Sequence, residues 1–333
     1  MQVVVAGGSG FIGRHLCQVL ARRGDKVTVL TSSRDVLAQG APPELALELW
    51  NPARPEGLER ILDGADAIIN LCGASVAEKR WTARRKEQLE ASRIVPTRAL
   101  AAVVEKCSKK PKTFINASAV GFYGDRGEQE LNEADGPGTD FLSGVAQKWE
   151  AAAQPAADAG ARLVLLRLGV VLADGGGAMA QILPPFNYFV GGPLGPGTQW
   201  FPWVHGHDVS GLIVYILGNE GLRGPVNCTA PLPVTNEVFS QELARRMGRP
   251  CVCRVPAGVL RLAMGEMADA LLLSSTRAVP RAALDRGYFF RFDTIDQALM
   301  DIVGTTYSAA PNRWWPNQRK TVAGGRRIDE QHA

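Results

Sequence analysis

Apolar positions follow two rhythms in the first half of the chain. Short apolar runs recur at residues 3–6, 27–30, 45–50, 66–71, 113–118 and 163–168, as buried strands require. Between them, residues 11–23, 82–107 and 141–159 carry apolar side chains at helical spacing. This alternation predicts an α/β fold, a doubly wound parallel sheet. The rhythm breaks after residue 172. Residues 173–207 are rich in Gly, Pro and aromatics, a composition of shaped loops. Beyond them, 235–248 and 257–273 read as helices, 287–292 as a short late strand and 294–303 as a closing helix.

The first strand runs directly into Gly7, Gly10 and Gly13 and an amphipathic helix carrying Phe11, Ile12, Leu16, Val19 and Leu20. That order suits the pyrophosphate of a dinucleotide. Gly7 permits a tight turn, Gly10 lets the backbone approach the phosphates, and Gly13 lets helix and strand pack closely. The helix start then offers free N–H groups to the anion. An acidic residue usually ends the second strand and receives the ribose 2′-hydroxyl. Here that place reads Thr31-Ser32-Ser33-Arg34-Asp35. Hydroxyls followed by Arg34 suit a 2′-phosphate, which favours NADP over NAD. The competing reading makes Arg34 an exposed loop charge.

Composition narrows the partners. A net charge of +4, with basic residues dispersed, does not point to nucleic acid. No apolar run is long enough to span a membrane. Six cysteines without CxxC spacing read as small buried hydrophobes in a reducing compartment, with no metal site. The first strand leaves no room for a leader within this numbering, so the expected location is cytoplasmic, or an organelle matrix if processing came earlier.

A longer series of motifs stands in order: Asn70-Leu71-Cys72-Gly73-Ala74, Arg80-Trp81-Thr82, Ser92-Arg93, Ser118-Ala119-Val120-Gly121-Phe122-Tyr123-Gly124, Lys148-Trp149-Glu150, Arg167-Leu168-Gly169-Val170-Val171-Leu172, Gly191-Gly192-Pro193-Leu194-Gly195, Trp203-Val204-His205 and Pro225-Val226-Asn227. Together with the glycine turn, the series resembles the atypical extended short-chain dehydrogenase/reductases grouped as the "NAD-dependent epimerase family". The resemblance spans roughly residues 1–303. It implies one Rossmann-type unit, with a nucleotide-binding core over about 1–172 and a small C-terminal substrate-side lobe mainly over 173–303. Residues 304–333, outside the resemblance, form an extension carrying Trp314 and Trp315, read as a surface for a protein partner, as packing back on the domain, or as disordered. By position, the resemblance assigns Thr31, Ser32, Leu71, Cys72, Gln88, Arg93 and Val171 to the cofactor. Relatives commonly place an arginine at the position of Ser32, whereas here it comes two residues later.

The catalytic machinery departs from the superfamily. Ordinary members use a Tyr and a Lys four residues later, the lysine lowering the phenol pKa. With Glu150 marking the register, the resemblance puts those positions at Leu142 and Ala146, neither of which exchanges a proton. Three substitutes stand out: Ser118 at the end of the fifth strand, Tyr123 in a loop expected to face the same crevice with Lys148 as a candidate cation, and His205, a natural proton shuttle. His207 is a weaker candidate, and Asp208 reads as a helix N-cap. Residues 191–203 either cover the nicotinamide end of the pocket or pack the junction between lobes. Two functions remain open. One is an NADP(H)-dependent oxidoreductase or epimerase acting on an unidentified carbonyl or hydroxyl substrate. The other is a non-catalytic NADP(H)-binding subunit of a larger assembly.

Overall fold

A computed structural model describes residues 1–306. Its elements are β1 (Gln2–Ala6), α1 (Phe11–Arg22), β2 (Lys26–Thr31), α2 (Arg34–Gln39), β3 (Leu45–Leu49), α3 (Leu58–Leu62), β4 (Ala67–Asn70), α4 (Ala83–Val104) and β5 (Thr113–Ala119). There follow β6 (Glu130–Leu131), α5 (Phe141–Asp158), β7 (Arg162–Leu168), β8 (Val170–Leu172), α6 (Met179–Asn187), β9 (Trp200–Phe201), β10 (Trp203–His205), α7 (Gly206–Gly218) and β11 (Gly224–Cys228). The last are β12 (Val234–Thr235), α8 (Asn236–Met247), α9 (Ala257–Met264), α10 (Glu266–Ala268), β13 (Arg277–Ala278), α11 (Arg281–Asp285) and α12 (Ile295–Thr306).

Seven parallel strands form the central sheet in the order β11-β7-β5-β4-β1-β2-β3. Four residues of β1 and all of β4 are buried, so both read as continuous apolar runs rather than alternating ones. Strand order reverses between β1 and β4, which opens a crevice at their carboxyl ends. One core cluster joins α1 and α7 to the sheet through Leu16, Leu20, Val29, Leu212 and Ile213. A second buries Leu58, Leu62, Leu100, Val104, Phe114 and Ala153 on the opposite face. A third, with Trp203, Phe239, Leu243 and Leu299, centres the lobe.

Three sequence expectations need correction. The sheet does not end near residue 172, because α7 returns to α1 and β11 pairs with β7. Residues 287–292 form no strand. The Asp208 carboxylate accepts from the N–H groups of Arg291 (2.7 Å) and Phe292 (3.0 Å), so those donors are capped rather than paired in a ladder. His205, not Asp208, is the N-cap of α7, its Nδ1 accepting from His207 N at 3.2 Å. Among the described residues no helix is long and apolar enough to cross a membrane. The tail bearing Trp314 and Trp315 lies outside the described residues.

Candidate cofactor crevice and reaction chamber

The glycine turn is built against the end of β4. Gly7 adopts φ +78°, and a Cβ there would stand 2.8 Å from the carbonyl carbon of Leu71. A Cβ at Gly13 would stand 2.3 Å from the Gly7 carbonyl oxygen, so α1 can approach the turn only with glycine there. Gly10 N–H donates to Gly7 O at 3.0 Å and sets the helix start. The first-turn N–H groups of Phe11, Ile12 and Gly13 then lack helical acceptors and open at the crevice. Ile12, Leu71 and Val171 each pack, partly buried, against the first core cluster, while Cys72 packs on the second. Burial pushes the Cys72 thiol up to about 12, so it is an inert wall.

The bend after β4 is fixed by side chains that sequence reasoning did not single out as site residues. Asn70 Nδ2 donates to Thr97 Oγ1 and Asn116 Oδ1, both at 2.7 Å, while its Oδ1 accepts from Cys72 N–H. The available signal was an asparagine in each of two apolar strands, Asn70 ending β4 and Asn116 in the middle of β5. Arg93 lies along Gly73 and donates to Ala74 O and Leu89 O, both at 2.9 Å. Gln88 is exposed on α4, without a side-chain hydrogen bond among the described residues.

At the end of β2, Thr31 is buried and its hydroxyl accepts from Ser33 N–H at 3.2 Å, so it is occupied within the turn. Ser33 caps α2. Ser32 and Arg34 are exposed beside each other, Arg34 beginning that helix rather than sitting in an open loop. On the far side of α1, the Phe11 ring lies against Gly176 and Gly177, which seats the loop after β8 over the turn.

Of the three candidate proton carriers, Ser118 and Tyr123 join one buried network and His205 belongs to another cluster. Ser118 is 1% exposed, and its hydroxyl donates to Glu150 Oε1 at 2.7 Å. Glu150 is held by Arg167 through Nε (2.8 Å) and Nη2 (3.0 Å). Tyr123, expected in a crevice-facing loop, is fully buried; its OH donates to Asn227 Oδ1 (2.7 Å) and accepts from Arg167 Nη1 (3.0 Å). Burial raises the Tyr123 pKa, outweighing the Arg167 charge. Its neighbouring cation is thus Arg167. Lys148 instead faces Glu90, with both carboxylate oxygens at 2.9 Å.

His205 is 2% exposed. It stacks on His207 at 5.3 Å, and His207 meets His15 edge-on at 4.5 Å. Burial, then the neighbouring imidazoles, lowers His205 to about 3 and His15 to about 4. With Nδ1 accepting from His207 N–H, the proton of neutral His205 sits on Nε2, facing Asp301 at 3.4 Å. These imidazoles join α1, α7 and α12 as neutral packing groups.

Leu142 packs on Gly121, and Ala146 is buried. Residues 191–203 pack the lobe. Trp203 is 1% exposed, Phe201 meets Phe239 at 4.6 Å, and Trp200 Nε1 donates to Glu128 at 2.7 Å. All six cysteines are free, and Cys253 departs from the expected burial by being exposed. Among the described residues no His, Cys, Asp and Glu cluster fits a metal.

Strand order and glycine turn together define a Rossmann-type nucleotide-fold protein. The family model for the NAD dependent epimerase/dehydratase family matches residues 3–228, and one for a domain of unknown function (DUF1731) matches 255–302. The chain belongs to the NAD dependent epimerase/dehydratase family. It is 36% identical over 306 residues to the epimerase family protein YfhF of Bacillus subtilis, covering 91% of this chain and 98% of that one. It is 34% identical over 307 residues to the human epimerase family protein SDR39U1, covering 91% and 100%. The crystal structure of human SDR39U1 (isoform 2) with NADPH superposes with a TM-score of 0.83 at 33% identity, covering 91% of this chain and 99% of that one.

Proposed function

We propose that this chain binds NADP(H) across the carboxyl ends of β1, β2 and β4, and acts as an oxidoreductase or epimerase-type enzyme on a carbonyl or hydroxyl substrate. The observation that carries the reading is the cradle of Gly7 and Gly13, closed so tightly on Leu71 and the turn that a Cβ would collide. The NADPH named with human SDR39U1 supports it. Gly10, Phe11, Ile12 and Gly13 would hold the pyrophosphate, Ser32 and Arg34 the 2′-phosphate, with Thr31 shaping that turn. Leu71 and Cys72 would wall the adenosine ribose, Arg93 and Gln88 would border the cofactor from α4, and Val171 would lie under the nicotinamide. When bound, the nicotinamide supplies hydride transfer.

The chain's own groups orient and exclude water. Leu142 and Ala146 have no exchangeable proton, so this reading assigns no phenol–ammonium couple to the site. Ser118 has given its only hydrogen to Glu150 and offers a ligand lone pairs alone. Buried and engaged with Glu150, it does not polarise a ketone by donation. Tyr123 and His205 hold the scaffold.

The second reading is a non-catalytic NADP(H)-binding subunit, with 304–333 meeting a protein partner. The buried engagement of Ser118, Tyr123 and Arg167 favours it. Six free cysteines favour a reducing compartment, the cytoplasm or an organelle matrix. Incubating the protein with NADPH and a carbonyl panel separates the two: absorbance loss at any substrate supports the enzyme, and tight binding without turnover supports the subunit.

A further inference from the structure

Residues 78–86 hold five basic side chains and one acid, a formal +4 equal to that of the whole chain. They end the loop between β4 and α4 and enter the first turn of that helix, which has no acidic residue. A helix selected only for stability favours acids at its positive end. Neither the fold nor the glycine cradle accounts for this excess.

Arg80 and Lys86 stand where core and lobe face each other, and Arg85 is held on the core side. Arg80 reaches to 3.6 Å from the position of a Cβ at Gly265, between α9 and α10. It is exposed and makes no hydrogen bond or ion pair among the described residues. Arg85 is 11% exposed at its side chain; Nη2 donates to Ser75 O at 2.8 Å, and Glu78 stands 3.6 Å away. Its buried Nε lacks an acceptor. Arg93 behind them meets carbonyls and the Ser92 hydroxyl, and burial, then repulsion from Arg85, lowers it to about 10. Lys86 and Glu266 pair across the same gap. The next residue after Arg80 links this cluster to the reaction end: Trp81 meets Phe141 edge-on at 5.2 Å, and Leu142 follows Phe141.

We propose that Arg80, in the basic segment that also carries Arg85, anchors an anionic group of the substrate, a carboxylate or a phosphate, with the substrate's reactive end towards Leu142. A guanidinium makes bidentate, charge-assisted bonds to either anion. Arg34 follows β2, which lies on the other side of β1 from β4. Cofactor phosphate and substrate anion are therefore served by different arginines. The inference rests on the NADP(H) reading only for what lies beside Leu142.

The test is calorimetric titration of malonate, and separately of inorganic phosphate, into the NADPH-saturated full chain. At least one is expected to bind, with Arg80→Gln weakening it tenfold or more, Arg80→Lys less, and NADPH affinity unchanged within twofold. Binding of one anion alone supports the site and names its chemistry. No binding to the parent protein, or equal binding to Arg80→Gln, overturns the proposal. Because this readout needs no turnover, anion binding with no carbonyl reduced leaves the anchor standing and removes the enzyme reading instead.

Discussion

Ser118 donates its only hydroxyl hydrogen to Oε1 of Glu150 at 2.7 Å. The same carboxylate takes two bonds from Arg167, whose guanidinium lies 3.5 Å from the centre of the Phe122 ring and donates to Tyr123. A hydroxyl, a phenol and an ion pair that superficially suggest acid–base chemistry are thus one buried, mutually satisfied network. Such a network holds the end of β5 against α5 and β7.

Removing one member should therefore act first on stability. Glu150→Ala leaves Arg167 buried and short of its counter-charge, a loss of about 3–5 kcal/mol. Joint replacement by Gln at 150 and Met at 167 should recover much of it. Ser118→Ala should cost only about 1–2 kcal/mol. Urea denaturation of the three variants checks the order.

The imidazole cluster sets an acid limit. His15, His205 and His207 all have lowered folded-state pKa values, with Asp208, Asp301, Arg22 and Arg291 as the charged groups around them. Lowered histidines bind fewer protons folded than unfolded, so stability rises with pH across that gap. Their contribution should be complete above the unfolded value near 6.5 and fall as pH drops towards about 4. Melting temperatures from pH 7.5 to 4.5 should decline, and His205→Asn should flatten the slope relative to its own value at pH 7.5.

Coenzyme choice should reside at the end of β2. Arg34→Gln is expected to weaken NADPH binding about tenfold, the scale of one charge-assisted contact, and leave NADH unchanged. Thr31→Val should lower stability slightly through the lost Ser33 contact and change coenzyme preference little. Fluorescence titration with both coenzymes distinguishes these outcomes.

How far the chain can be read in advance follows from the range of the forces involved. Gly7 and Gly13 declare themselves because a tight turn and a close helix approach are local demands, written within a dozen residues. Strand and helix identities through β7 follow from uninterrupted apolar runs for the same reason. Asp208 misled because its acceptors are claimed by Arg291 and Phe292, more than eighty residues away. Tyr123 misled similarly: nothing near it announces Asn227 or Arg167 as partners. The Arg80 cluster passes unnoticed among basic residues that the sequence presents as dispersed, because its meaning depends on Gly265 arriving opposite it.

The most direct measurement is an equilibrium titration of NADPH into the parent protein and Gly10→Ala. Gly10 has φ −75°, open to alanine, and its Cβ would meet only the Gly7 carbonyl oxygen, at 3.1 Å. The variant should therefore fold with a nearly unchanged melting temperature. Its methyl group would intrude where the phosphates must approach the backbone, and binding should weaken at least tenfold. A parent protein that ignores NADPH, or a Gly10→Ala protein that binds it equally well, would contradict the account.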